Sequence, residues 1–89
     1  MTALHLAAGL GSASIVKTIL EADADIHACD ENQRTPLHYA AQNRVDVVKM
    51  LIDHGADVKA TDRWQQTALN LAEERRKVDV VKLLIDKDG

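Results

Sequence analysis

Thr35-Pro36-Leu37-His38-Tyr39-Ala40 is the middle member of a phrase that the chain uses three times. It stands as Thr-Ala-Leu-His-Leu-Ala at residues 2–7 and as Thr-Ala-Leu-Asn-Leu-Ala at residues 67–72. The leading threonines at 2, 35 and 67 are 33 and 32 residues apart, and the intervening sequence keeps the same frame. Ile15-Val16-Lys17, Val47-Val48-Lys49 and Val80-Val81-Lys82 correspond, as do Ala24-Asp25-Ile26 and Ala56-Asp57-Val58. A period of this length marks a stack of structural repeats. Each copy is then a unit of scaffold, which directs attention away from catalysis.

The middle copy shows how one unit is built. The Thr35 hydroxyl suits a helix N-cap, and Pro36 suits the first helical position, where a missing N–H costs nothing. Leu37, Tyr39, Ala40 and Ala41 line a short helix that ends near Asn43. A second helix is expected from about Val45 to His54. Its apolar residues Val47, Val48, Met50, Leu51 and Ile52 are too many for one exposed stripe, so it should be buried on more than one side. Gly55 fits a left-handed terminator, and Val58 to Gln66 reads as polar and extended. Helices this short are marginal alone in water, so each unit needs its neighbours. The alanines at 7, 8, 40, 41 and 72 permit close approach.

Composition sets the remaining bounds. Tyr39 and Trp64 are the only aromatics and Phe is absent, so the core must be made from Ala, Leu, Ile and Val. A net charge of −3 is too mild to imply nucleic-acid or membrane partners. The charge is uneven: residues 1–31 hold one Lys against five acids, a balance of −4. Cys29 is the single cysteine, which favours a reducing compartment, cytoplasm or nucleus. No long apolar run or signal-like segment is found, so a soluble protein is expected.

The chain resembles an ankyrin repeat array. The resemblance rests on Thr35-Pro36-Leu37-His38-Tyr39-Ala40-Ala41, Val47-Val48-Lys49-Met50-Leu51-Ile52 and Gly55-Ala56-Asp57-Val58, and it covers essentially the whole sequence. It implies an all-α solenoid of helix-turn-helix units joined by projecting β-hairpins. On that basis residues 1–89 form one domain with repeats at about 2–34, 35–66 and 67–89, the first and last incomplete. Helices are placed near 3–9, 13–22, 36–43, 45–54, 68–75 and 78–86, and hairpins near 27–34 and 59–66. The first copy begins inside its phrase, which suggests an excerpt from a longer array. Leu10, Ile15, Ile19 and Leu20 would then lack a preceding repeat to cover them.

Departures from the pattern carry information. Gln33 and Gln65 stand where the family's hairpin tips usually have Gly. A left-handed residue would be strained there by about 1 kcal/mol, which favours another turn type. Asp23 and Asp88 replace the helix-ending Gly, a milder change because Asp visits the left-handed region comparatively readily. The second copy is one residue short, which predicts a tighter turn at Asn43-Arg44-Val45. The third copy drifts toward polar residues, with Asn70, Glu73 and Glu74-Arg75-Arg76-Lys77. That drift suits an outer face that meets water.

Candidate chemistry resolves mostly into structure. His5 and His38 share one repeat position, where the resemblance implies a bond to the helix-start Thr and to a neighbouring carbonyl. His27 and His54 lie elsewhere, and no pair has metal-ligand spacing. Cys29 lacks a positioned base, and no phosphate-binding glycine loop occurs. No cofactor, metal or catalytic constellation is expected. Trp64 has two readings: its ring folds back on the tip around Asn32 or on sequence outside this chain, or it stands exposed as a contact anchor, with Arg63 beside it.

The resemblance implies partner contacts on the variable residues of the tips and first helices. These are Glu31, Asn32 and Arg34 on one tip, Arg63, Trp64 and Gln66 on the next, and Tyr39, Gln42, Asn43, Glu74 and Arg75 along the groove. The expected function is binding of another protein by a monomer. The alternative is a structural spacer that self-associates through its apolar first copy.

Overall fold

A computed structural model describes residues 1–88 as six helices. They are α1 (Ala3–Leu10), α2 (Ala13–Glu21), α3 (Pro36–Ala40), α4 (Val45–Asp53), α5 (Ala68–Glu74) and α6 (Val78–Asp88). The fold is the all-α repeat stack that the phrase predicts. First helices pack on first helices, α1 on α3 and α3 on α5, while α2 packs on α4 and α4 on α6.

Each unit starts at its threonine. Thr2, Thr35 and Thr67 hold extended backbone ahead of α1, α3 and α5. In the outer copies the threonine hydroxyl accepts the N–H of His5 and Asn70. The third residue returns the bond: the Thr35 N–H donates to His38 Nδ1 at 3.0 Å, and that of Thr67 to Asn70 Oδ1 at 2.9 Å. Two helix-end donors are satisfied reciprocally, which fixes where each helix begins.

The core runs along the stack as one cluster. Leu4, Leu37 and the alanines 7, 8, 40, 41, 68 and 72 supply the first helices; Val16, Val47, Val48, Leu51, Val80 and Leu84 supply the second. Truncating a fully buried leucine such as Leu37 or Leu51 would cost about 2–5 kcal/mol through lost burial and the cavity left behind. Position within the unit decides what covers a side chain. Ile15 and Ile19 are left partly exposed, as expected, but Leu20 is buried because its position turns toward the second copy.

Several boundaries differ from expectation. Among the described residues there is no strand at 27–34 or 59–66, so the expected hairpins are tight turns. The Asp30 N–H reaches the Arg34 carbonyl at 3.0 Å, and the Asp62 N–H reaches Gln66 at 3.0 Å. The cause lies in the two aspartates, whose side chains occupy the amides that a ladder would use: Asn32 and Arg34 in one case, Trp64 and Gln66 in the other. The tips also keep the left-handed residue, with φ of 60° at Gln33 and 64° at Gln65, so no alternative turn type is adopted. Asp23 terminates α2 at φ 61°, whereas α6 continues through Asp88.

The missing residue of the second copy shortens its first helix and leaves the turn long. Gly11 at φ 72° and Arg76 at φ 57° end α1 and α5 in the left-handed conformation. No residue between α3 and α4 does so, and Ala41 stays right-handed at φ −61°. Residues 41–44 therefore bridge α3 and α4, where residues 11–12 suffice in the first copy. The third copy's outer face is less polar than expected, since Val78 and Ile85 are exposed there.

Candidate partner-binding surface

The two tips are locked by buried or half-buried carboxylates. Asp62 has no exposed side-chain surface. Its Oδ1 accepts the amides of Trp64 and Gln66, both at 2.9 Å, and its Oδ2 accepts Arg34 Nε at 3.1 Å. Asp30 repeats the plan one copy earlier, taking the amides of Asn32 and Arg34 and the hydroxyl of Tyr39. Burial opposes ionisation of both carboxyls. The Tyr39 hydroxyl and the Arg34 and Asn32 amides overcome that at Asp30, and the Gln66 and Trp64 amides with Arg34 do so at Asp62. Both stay below the usual carboxylate range.

The histidines attach each helix start to the following tip. His5 Nε2 lies 2.7 Å from the Arg34 carbonyl, and His38 Nε2 lies 2.9 Å from that of Gln66. Because Nδ1 accepts the threonine N–H, Nε2 must carry the proton and donate. The rings are thus neutral struts between copies. Burial lowers the pKa of His38, partly offset by its bond to the Gln66 carbonyl. His27 and His54 are exposed, and Cys29 lies exposed with its thiol directed at the His27 carbonyl at 3.7 Å. Among the described residues, no three His, Cys, Asp or Glu are grouped to hold a metal ion. Among the described residues, no helix is long and apolar enough to cross a membrane.

Trp64 stays 55% exposed while two guanidinium groups approach its ring. The Arg34 and Arg63 carbons lie 5.3 and 5.4 Å from the ring centroid, within cation–π range. Arg63 also bonds back to Asn32 through both its amide and its side chain, the former at 2.9 Å. Neither earlier reading of Trp64 is complete: the ring rests on arginines, and much of its surface still faces solvent.

Beside the tips lies a shallow groove of about 220 Å³, lined by Gly9, Tyr39, Gln42, Asn43 and Arg75. Four of these five were chosen from sequence. Asn43 Nδ2 donates to the Gly9 carbonyl at 2.6 Å, tying the groove floor across two copies. Gln42 caps the His38 carbonyl at 3.3 Å, and the edge of the Tyr39 ring meets His5 at 5.7 Å between centroids. Burial and the Asp30 contact push the Tyr39 hydroxyl up to about 12. Glu31, Glu74 and Arg75 are exposed, and of these Arg75 lines the groove.

Asp30 and Asp62 are the organising residues that sequence reasoning missed. Their signal was present: both stand five residues before the helix-start threonine of the next copy. Arg34, chosen as a contact residue, is also a structural one through its ion pair with Asp62.

Comparison with known families agrees with the architecture. A family model described as ankyrin repeats in three copies matches residues 1–62, and one described as ankyrin repeats in many copies matches residues 40–85.

Proposed function

The chain belongs to the ankyrin repeat family, whose repeats are generally protein-interaction modules, and we propose that it binds another protein through its tips and groove. The observation that carries this reading is a chemically mixed surface presented with its shape already fixed. Trp64 offers an exposed aromatic face, Arg63 a charged edge, and the Tyr39–Gln42–Asn43 groove a set of polar contacts. Beneath them, every buried side-chain polar atom among the described residues has a hydrogen-bond partner. Rigid presentation limits the conformational entropy lost on binding, and Trp and Arg are the residue types enriched among interface hot spots.

In this reading Glu31, Asn32, Arg34 and Gln66 frame the tips, while Glu74 and Arg75 border the groove. Residues 1–89 act as one domain, and the solitary Cys29 suits the cytoplasm or nucleus. Affinity capture with the wild-type chain and with an Arg63→Ala/Trp64→Ala variant tests the proposal. Proteins retained only by the wild type, with both forms equally helical by circular dichroism, support it. Equal retention by both removes this surface from consideration.

A further inference from the structure

The two arginines that approach the Trp64 ring are held very differently. Arg34 is fixed through its backbone and its side chain alike. Its N–H donates to Asp30 Oδ1 at 2.9 Å, and its carbonyl accepts from His5 Nε2 at 2.7 Å and from the Asp30 N–H at 3.0 Å. Its Nε donates to Asp62 Oδ2 at 3.1 Å, and its side chain is 21% exposed. Arg63 is exposed, and its guanidinium makes one long hydrogen bond, to Asn32 Oδ1 at 3.4 Å. Among the described residues no carboxylate pairs with it.

Trp64 depends on such contacts for its orientation. Its amide is tied to Asp62 Oδ1 at 2.9 Å, but the ring stands outside the apolar core cluster. An exposed side chain in that setting flips between rotamers on the picosecond-to-nanosecond scale unless something braces it. A guanidinium suits that task. It is planar, so Nε can bond a carboxylate while the same group lies against an aromatic ring. Arg34 does both, with its guanidinium carbon 5.3 Å from the ring centroid. A lysine ammonium is a point charge on a flexible stem and cannot serve the carboxylate and the ring together.

We infer that Arg34 is a positioning residue, which carries the fixed geometry of the Asp62 carboxylate to the Trp64 ring and so presets the aromatic face that a partner meets. Arg63 is the free cation beside that face. The tip of the first copy thereby orients the anchor of the second. This role rests on the reading of Trp64 as a contact residue, while the ordering of the ring needs no partner and is tested without one.

Trp64 is the single tryptophan, so its indole N–H gives one NMR signal whose relaxation reports the ring alone. In the full wild-type chain its order parameter should lie near the rigid value of about 0.85, and in Arg34→Lys it should fall below about 0.6. The backbone amides of Trp64 and Gln66, which Asp62 holds, should keep their order in that variant. Arg63→Lys should leave the indole ordered. An indole already mobile in the wild type, or still ordered in Arg34→Lys, overturns the assignment. Equal loosening by Arg63→Lys overturns it too. So does loss of order at the two amides together with the ring, because Arg34 would then only hold the tip together. If Arg34→Lys does not fold by circular dichroism, Asp62→Asn replaces it: its amide oxygen still accepts the Trp64 N–H, the ion pair to Arg34 is gone, and the indole should again loosen. Equal retention of proteins by wild type and Arg63→Ala/Trp64→Ala would instead remove the recognition reading and leave the ordering of the ring as it is.

Discussion

Replacing Asp62 with Ala probes the tip architecture at its most buried charge. The carboxylate holds two amides at 2.9 Å and Arg34 Nε at 3.1 Å, with no exposed side-chain surface. Hydrogen bonds to a charged group contribute about 1.5–3 kcal/mol each, and they are not additive within one network. The Trp64 and Gln66 amides sit at a tip where water can reach them after truncation, which places the total near the lower end. We expect a loss of about 3 kcal/mol for Asp62→Ala. Asp62→Asn should lose about 1–2 kcal/mol, because its carbonyl still accepts one or both amides. Chains of this size are stable by roughly 4–13 kcal/mol, so the alanine variant should be visibly weakened. In urea titration the midpoint should fall by about 1–3 M with the slope unchanged. Because the folded carboxyl titrates below its ordinary value of 3.8, the stabilisation it contributes is complete above that pH and is lost as pH falls beneath it. Both variants should therefore show a shallower acid limb than the wild type. An Asp62→Ala midpoint within experimental error of wild type would refute the claim that this carboxylate locks the tip.

Three further outcomes follow from the same geometry. Gln33→Gly and Gln65→Gly should each stabilise by up to about 0.5 kcal/mol in urea titration, since relief at φ of 60° and 64° slightly exceeds the added freedom of the unfolded chain. Burial holds His38 below its ordinary 6.5, so the stability linked to its neutral ring is complete above that pH and declines as pH drops below it. His38→Asn should flatten this limb and cost about 1 kcal/mol for the lost Gln66 bond. Tyr39 is the single tyrosine, and its phenolate absorbance should appear near pH 12, with the linked stability complete below pH 10 and falling as pH rises past it. Asp30→Asn should bring that midpoint back toward 10.

The sequence was most legible where physics is local and repeated. Thr35, Pro36 and the alanines define a helix start and a close-packing face, and the structure follows them. Asp23 was likewise readable, because a short polar side chain tolerates the left-handed region. The tips were harder to read. Gln33 and Gln65 argue against a left-handed turn by their own preference, yet the Asp30 and Asp62 side chains impose it by binding the flanking amides. That bond crosses four residues and is invisible to propensity. Leu20, Ile52 and Ile85 occupy the same repeat position yet run from buried through partly buried to exposed, since exposure there depends on tertiary packing that the repeat period does not show. Arg34 illustrates a last limit: an exposed-looking tip residue is half structural because its partner lies 28 positions away at Asp62.

The central claim is that the Trp64–Arg63 tip, with its groove, forms the recognition surface. Calorimetric titration of a captured partner against wild-type chain and against Arg63→Ala/Trp64→Ala tests it most directly. The account predicts affinity at least about tenfold weaker for the variant, equivalent to about 1.4 kcal/mol, with unchanged urea stability apart from the lost ring contacts. Equal affinity for the two forms would contradict it.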